Sequence, residues 1–160
     1  YSKMSLVLDT KIYRSLKKIQ ASYMAISLNG GGYFASAVFD NSTKRIVCSK
    51  TFRRYTYRRK QGGSQSLKDN QNSGSIHSAG ATIRRENEKK LKEDILRLFV
   101  SWKSDLDRCI VFFCNRDPFL LQNTINLNNL RTLPFTTYQA DYEEICRCYT
   151  ELISSIKMVS

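Results

Sequence analysis

The chain has 160 residues, 41% apolar and 25% charged, with a formal net charge of +12. That is the length of one domain and the composition of a globular one rather than of a disordered chain. The longest unbroken apolar run, Cys109–Cys114, falls far short of the about 20 residues of a membrane-spanning helix, and no secretion signal opens the chain, so membrane insertion is not expected.

In chain order, Leu8, Ile12, Leu16 and Ile19 are spaced for a helix, which predicts an N-terminal helical extension over residues 1–20. A start at Tyr1 rather than Met reads as a piece of a longer protein. Residues 23–28 and 33–39 read as two strands joined by a glycine-rich turn at 29–32, somewhat longer than the tightest hairpin loops. Asp40, Asn41 and Ser42 make another turn. A third strand follows at about 45–55, with Ile46, Cys48 and Phe52 facing the core. Residues 57–80, YRRKQGGSQSLKDNQNSGSIHSAG, are almost without apolar side chains and hold four of the seven glycines. Loops of that length within a compact domain are functional or disordered.

A long helix is predicted over 81–105, capped by Ser78, with Ile83, Leu91, Ile95, Leu98, Phe99 and Trp102 as its stripe. Cys109–Cys114 (CIVFFC) reads as a strand buried on both faces. A short helix from Asp117 to about 125 and a short strand at 131–133 come next. The last helix is predicted from 138 to about 157, capped by Thr137, with Tyr142, Ile145, Tyr149, Leu152 and Ile156 inward. Meander, loop, helix, strand, helix, strand, helix is the order of an α/β domain with a mixed sheet, an antiparallel meander followed by parallel additions and flanked by helices.

The charge is unevenly placed. Lys50, Arg53, Arg54, Arg58, Arg59, Lys60, Lys68, Arg84 and Arg85 fall between positions 50 and 85 with one acid, Asp69, so this stretch carries +8 of the +12. A single-sign patch on an otherwise balanced domain is the footprint of a polyanion, and nucleic acid fits better than a membrane surface because no amphipathic helix carries the cluster. Arg84 and Arg85 fall in the first turn of the predicted helix, where the dipole disfavours cations and a phosphate would favour them. Glu86 and Glu88 read as ordinary first-turn acids. Glu143 and Glu144, early in the last helix, are accounted for by the same dipole. Trp102, Phe112, Phe113 and Tyr149 read as core. Tyr55 and Tyr57, beside the arginines, are placed to stack on a nucleotide. The cysteines, Cys48, Cys109, Cys114, Cys146 and Cys148, are odd in number and lack framework spacing, which points to free thiols in a reducing compartment. With no C-x-x-C and one histidine, neither a structural zinc nor any other cofactor is expected.

The sharpest local signal is Arg58–Ser66, RRKQGGSQS. Gly62 and Gly63 allow close backbone approach to a ligand, and Ser64 and Gln65 follow at once. A glutamine does not titrate and cannot serve as a strong base, but it can orient a water or hydroxyl and stabilise developing charge. Arg58, Arg59 and Lys60 would hold phosphates. On spacing alone the same residues also suit a flexible linker. His77, the one histidine, suits either an exposed loop position or a substrate contact.

Residues 57–90, with YRRKQGGSQS, HSAGATIRR and NEKKL, resemble the VMS-type release-factor-like domain of the ankyrin-repeat and zinc-finger peptidyl-tRNA hydrolase family, which acts in ribosome-associated quality control. The strand YFASAVFD and the last helix resemble it more loosely. The domain is also similar to the central domain of eukaryotic peptide-chain release factors, whose loop carries Gly-Gly-Gln. The resemblance implies one catalytic domain over 1–160 with a release-factor central-domain-like, ribonuclease-H-like fold and a catalytic loop at 57–80. It implies a peptidyl-tRNA substrate on a stalled 60S large ribosomal subunit, cytoplasmic and ribosome-associated, without cofactor. Regions outside this chain would recruit an AAA ATPase segregase and mitochondria.

The family's functional glutamine falls on Gln65 and its glycine on Gly63. Ser64 departs from the release-factor triplet as the VMS-type group does, where the implied chemistry is tRNA cleavage just before the terminal CCA. The motif itself leaves open whether the ester or the phosphodiester is broken. Ester hydrolysis needs one oriented water. Phosphodiester cleavage by a neighbouring 2′-hydroxyl needs that hydroxyl deprotonated, the five-coordinate phosphate stabilised and the leaving oxygen protonated. With Arg58, Arg59, Lys60, Arg84, Arg85 and His77 at hand and no metal constellation in the sequence, the resemblance tilts the reading to a metal-independent tRNA cut. A ribosomal-RNA-binding module without chemistry is the alternative from another class.

Overall fold

The computed structural model describes residues 22–56, 79–115 and 127–159. The N-terminal helix over 1–20, Ser78, and the short helix from Asp117 lie outside the described residues. Five strands form one sheet in the order β3-β2-β1-β4-β5, with β1 Tyr23–Gly30, β2 Tyr33–Asp40, β3 Arg45–Arg53, β4 Cys109–Cys114 and β5 Leu130–Thr132. The pairs β1/β2 and β2/β3 are antiparallel, and β1/β4 and β4/β5 are parallel, so the expected mixed sheet is present. The α-helices among the described residues are α1 (Ala79–Ser101), α2 (Lys103–Asp107) and α3 (Tyr142–Val159), with a 3-10 turn at Leu127–Asn129.

Side chains alternate across a strand, and here both faces are covered. Met24, Ile26 and Leu28 of β1, Ala35, Ala37 and Phe39 of β2, and Val111 and Phe113 of β4 pack with Ile145, Cys148 and Leu152 of α3. Ala25, Phe34, Val38 and Phe112 point the other way, onto Leu91, Ile95 and Phe99 of α1. Small residues on the central strands let the helices sit close. The buried Ser36 hydroxyl donates to the Ile26 carbonyl at 3.0 Å, so it adds no unpaired group. Phe112 and Phe113 are core, and Trp102 and Tyr149 are partly buried against it, as expected.

Ile46, Cys48 and Phe52 all pack against the core as expected, although on two faces of the sheet, and several other expectations are corrected. The register steps from Val38↔Cys48 to Phe39↔Ile46, leaving Val47 unmatched, and this bulge turns Ile46 to the α3 side while Cys48 and Phe52 stay on the α1 side. β3 ends at Arg53. The hairpin turn is the tight two-residue pair Gly31–Gly32, at φ +60° and +81°, as a type I′ turn requires. The long helix is broken at Trp102, so the stretch to 105 is not continuous, and it starts at Ala79, making Ala79 and Gly80 helical rather than loop. Ile83 is exposed. The last helix begins at Tyr142, because the Asp141 carboxylate, not Thr137, accepts the Glu144 N–H at 2.9 Å and caps it. That start leaves Tyr142 exposed rather than inward. β5 begins one residue before the predicted strand.

Candidate nucleic-acid interface

Gly62, Gly63, Ser64, Gln65, Arg58, Arg59, Lys60, His77 and Tyr57 lie outside the described residues. The two ends that carry them, at Thr56 and Ala79, are described. The carboxyl ends of β1, β4 and β5 and the end of β3 share one end of the sheet, since Tyr33 pairs with both Gly30 and Arg53, and Cys114 pairs with both Ser27 and Thr132. In open α/β sheets that end is where ligands bind.

The outgoing end is pinned by glycine. Gly32 brings its backbone so close to β3's exit that an added Cβ would lie 2.2 Å from the Arg54 carbonyl oxygen and 2.6 Å from Thr56 Oγ1. The Arg54 N–H donates to the Gly32 carbonyl at 2.8 Å. The Arg54 side chain reaches the other way, onto α1, donating from Nε and Nη2 to one oxygen of Asp94 at 2.9 and 2.5 Å. Asn87, two turns earlier on α1, donates to the Tyr55 carbonyl at 3.0 Å. Three contacts thus fix the exit from β3 to both the hairpin and the helix.

The returning end is a helical overhang. The first buried residue of α1 is Leu91, and Asn87 marks where the helix meets the β3 exit. The eight residues 79–86 therefore project about 12 Å beyond that contact, at 1.5 Å per residue. Arg84 and Arg85 sit on this overhang, in its second turn rather than its first because the helix begins earlier than predicted. Glu86 and Glu88 are likewise past the first turn, which holds no acid. The half-buried Arg84 still reaches the terminus: its Nη1 lies 3.4 Å from where a Cβ on Gly80 would be. Arg85 is exposed. Cations near a helix N-terminus are unfavourable unless an anion joins them.

The adjacent arginines of β3's end divide their work. Arg54 is committed to Asp94, whereas the Arg53 guanidinium lies 5.1 Å from the Tyr33 ring centroid. Tyr55 is 53% exposed, as a stacking residue must be. On β3's other side, Tyr33, Thr51, Arg53, Gln139, Tyr142 and Glu143 line a cleft of about 600 Å³. Its far wall is held by Glu144 and Arg147. Arg147 donates to both Glu144 carboxylate oxygens at 2.8 and 2.7 Å and to the Thr136 carbonyl at 3.0 Å, while Glu144 accepts the Tyr138 N–H at 2.9 Å. The Arg147 hydrogen bonds hold the Glu144 carboxyl below its ordinary value against the opposing effect of burial. Asn115, just after β4, joins β1 to the same wall by exchanging hydrogen bonds with Asn29 and donating to Thr137 Oγ1 at 3.2 Å.

Gly32, Asn87, Asp94 and Glu144 were not singled out from sequence as parts of the site. The glycine run at 30–32 signals a turn, and the close approach of Gly32 to the β3 exit is set by tertiary contact that no local pattern carries.

Burial pushes the Cys109 thiol up to about 12 and the Cys48 and Cys148 thiols up to about 11. None of the five cysteines forms a disulfide. Among the described residues no group of three or more His, Cys, Asp or Glu side chains is placed to hold a metal ion, and no helix is long and apolar enough to cross a membrane.

Residues 24–159 match the model of the family described as Bacteroidetes VLRF1 release factor. The tRNA endonuclease vms1 of Schizosaccharomyces pombe is 38% identical over 148 residues, covering 82% of this chain and 24% of its own length. The tRNA endonuclease VMS1 of Saccharomyces cerevisiae is 33% identical over 162 residues, covering 83% and 26%. The human tRNA endonuclease ANKZF1 is 40% identical over 84 residues, covering 51% and 11%. The chain thus spans about a quarter of the length of the yeast relatives it matches. Among solved structures, the Vms1 mitochondrial localization core superposes with a TM-score of 0.55 at 19% identity, over 82% of this chain and 55% of that one, which is a likeness of fold.

Proposed function

Because the chain belongs to the VLRF1 release-factor family, we propose that it is an RNA-directed hydrolase that frees nascent chains from peptidyl-tRNA on stalled large ribosomal subunits by cutting the tRNA before its 3′ CCA. The observation that carries this reading is the family match over nearly the whole chain, with relatives named tRNA endonucleases, joined to RRKQGGSQS standing between β3 and the basic overhang of α1.

In this reading the 2′-oxygen on the 5′ side of the cut attacks phosphorus, and the bond from phosphorus to the 5′-oxygen of the departing CCA breaks. The 2′-hydroxyl loses a proton and the departing oxygen gains one. The tRNA body ends in a cyclic phosphate, and the CCA leaves with the peptide. The Gln65 amide positions the attacking hydroxyl and donates to the five-coordinate phosphate. Gly62 and Gly63 allow the backbone close approach, and Ser64 stands beside the amide. Arg58, Arg59, Lys60, Arg84 and Arg85 offset the phosphate charge, and His77, the one histidine of the chain, contacts the substrate. The reaction requires no metal in this scheme. The ribosome-bound, cytoplasmic setting, an AAA ATPase segregase partner and recruitment to mitochondria belong to the same proposal, the last two through regions outside this chain.

The test is the 3′ end of the tRNA after reaction of stalled peptidyl-tRNA complexes with the intact protein. A tRNA shortened by CCA and insensitive to chelator is expected, and Gln65→Leu should abolish release while subunit binding persists. An intact CCA on the released tRNA would overturn the cut in favour of ester hydrolysis, and undiminished release by Gln65→Leu would overturn the role of the amide.

A further inference from the structure

The cleft between the end of β3 and the start of α3 has no part in the chemistry above, yet it opens beside the root of the 57–78 segment, one residue from Arg54. Its volume, about 600 Å³, is that of a ligand-sized cleft, and it is open to solvent. We propose that it is a nucleotide subsite, holding one unstacked nucleotide of the RNA substrate with its base against the aromatic rings and its phosphate on Arg53. The inference deepens the proposed function and rests on its reading of the substrate as RNA.

The chemistry is polarised along the cleft. At the β3 end stands Arg53, a cation whose described contact is the Tyr33 ring, with no carboxylate within ion-pair reach among the described residues. A guanidinium on an aromatic face keeps its edge N–H groups for an anion. At the α3 end stand Gln139 and Glu143, both exposed, which supply a carbonyl and a carboxylate acceptor. They accept from the exocyclic amino group of a base, and the carboxylate repels a phosphate, so a nucleotide enters in one orientation. Between them Tyr33 and Tyr142 provide ring surface, and Tyr142 is 49% exposed although it lies at the start of an otherwise well-packed helix. An unpaired base is read in this way, by stacking and by its edges. An apolar peptide anchor would leave Arg53, Gln139 and Glu143 desolvated without partners.

The wall is preformed. The Glu144–Arg147 pair, with Arg147 also 5.5 Å from the Phe135 ring and 5.2 Å from the Tyr138 ring, fixes the strand of chain that presents Gln139. Little ordering is left for the ligand to impose.

The experiment measures binding of a labelled single-stranded RNA ending in CCA to the whole chain, together with the same RNA carrying one abasic residue at each position in turn. One abasic position is expected to weaken binding by about tenfold, the size of losing one base–aromatic stack. Tyr142→Ala and Gln139→Ala, at exposed positions that leave the fold intact, should weaken the unmodified RNA and abolish the penalty at that abasic position; Tyr33→Leu should do the same. If the variants bind as the parent does, or the abasic penalty survives in them, the cleft holds no nucleotide and serves another ligand or none. Cleavage is not the readout, so the proposal fails separately from the proposed function: a parent that cuts tRNA while its cleft variants bind RNA normally refutes the subsite alone.

Discussion

The close approach of Gly32 to the β3 exit can be measured against its neighbour. Gly31 and Gly32 both have positive φ, at +60° and +81°, so replacing either by alanine costs about 1–2 kcal/mol for the left-handed backbone. They differ in space. A Cβ on Gly31 meets nothing within 4 Å, whereas on Gly32 it would lie 2.2 Å from a backbone carbonyl oxygen, which cannot rotate away. The Arg54 carbonyl must move, and the Arg54 N–H bond to Gly32 is at risk with it, worth about 1 kcal/mol. Gly32→Ala should therefore cost about 2 kcal/mol more than Gly31→Ala. At a urea dependence of about 2 kcal/mol/M, that separates their unfolding midpoints by about 1 M. At a temperature where both remain folded, Gly31→Ala should release peptide at close to the parental rate and Gly32→Ala much more slowly, because the exit carrying residues 57–78 has shifted. Equal midpoints for the two variants would refute the argument that the hairpin fixes the root of the site.

Glu144 carries a pH signature. Its folded-state carboxyl is lowered from the ordinary 4.5, chiefly by the Arg147 hydrogen bonds. A depressed acid contributes stability fully above its unfolded value and loses it as pH falls through the folded one. Glu144→Gln should cost about 1–2 kcal/mol near pH 7 and progressively less as pH falls below the ordinary carboxyl value in urea titrations; a difference constant with pH would contradict this. Charge reversal at Arg58 and Arg59 should weaken large-subunit binding and flatten its dependence on log salt by roughly 1.5 if both meet phosphates; an unchanged slope would remove them from the interface. Thiol reagents on the native protein at neutral pH should modify Cys48, Cys109 and Cys148 slowly, since burial raises all three thiols; rapid labelling of any of them by mass spectrometry would count against it.

What was legible in the sequence follows from where local pattern decides. Strand β4 is named by its six apolar residues because burial on both faces leaves no alternation to misread. The meander is named by turn chemistry at Gly31–Gly32 and at Asp40, whose carboxylate accepts from the Ser42 backbone and hydroxyl. Illegible were features set by tertiary contact. Val47 fits the strand pattern as well as Ile46 does, and only the β2 register makes it the bulge. Thr137 is as good a cap as Asp141 by composition, but its hydroxyl accepts from Asn115 instead. Ile83 continues the helical stripe, yet it is exposed and lies two turns before Leu91, the first buried residue of α1. Arg54 looked like part of the basic patch and is a strut to Asp94, 40 residues on.

The two glycine clusters show the same division of labour at the level of function. One reads from sequence as a turn and the other as a ligand loop, each for its own backbone freedom. The geometry joins them: the first cluster's Gly32 is the surface on which the second cluster's outgoing end rests. Binding of RNA by a cationic segment tolerates displacement, because charge acts over about 8–10 Å in physiological salt. Positioning a neutral amide on a phosphate does not, because a hydrogen bond is lost within a few tenths of an ångström. Substitutions at the root, Gly32→Ala, Asp94→Asn and Asn87→Ala, should therefore lower the rate of the bound complex while leaving affinity for the large subunit near parental, and those in the basic patch should do the reverse. Root variants that lost affinity and rate in equal measure would mean that the root orders the charges as well as the amide, and the separation of binding from chemistry argued from these contacts would fail.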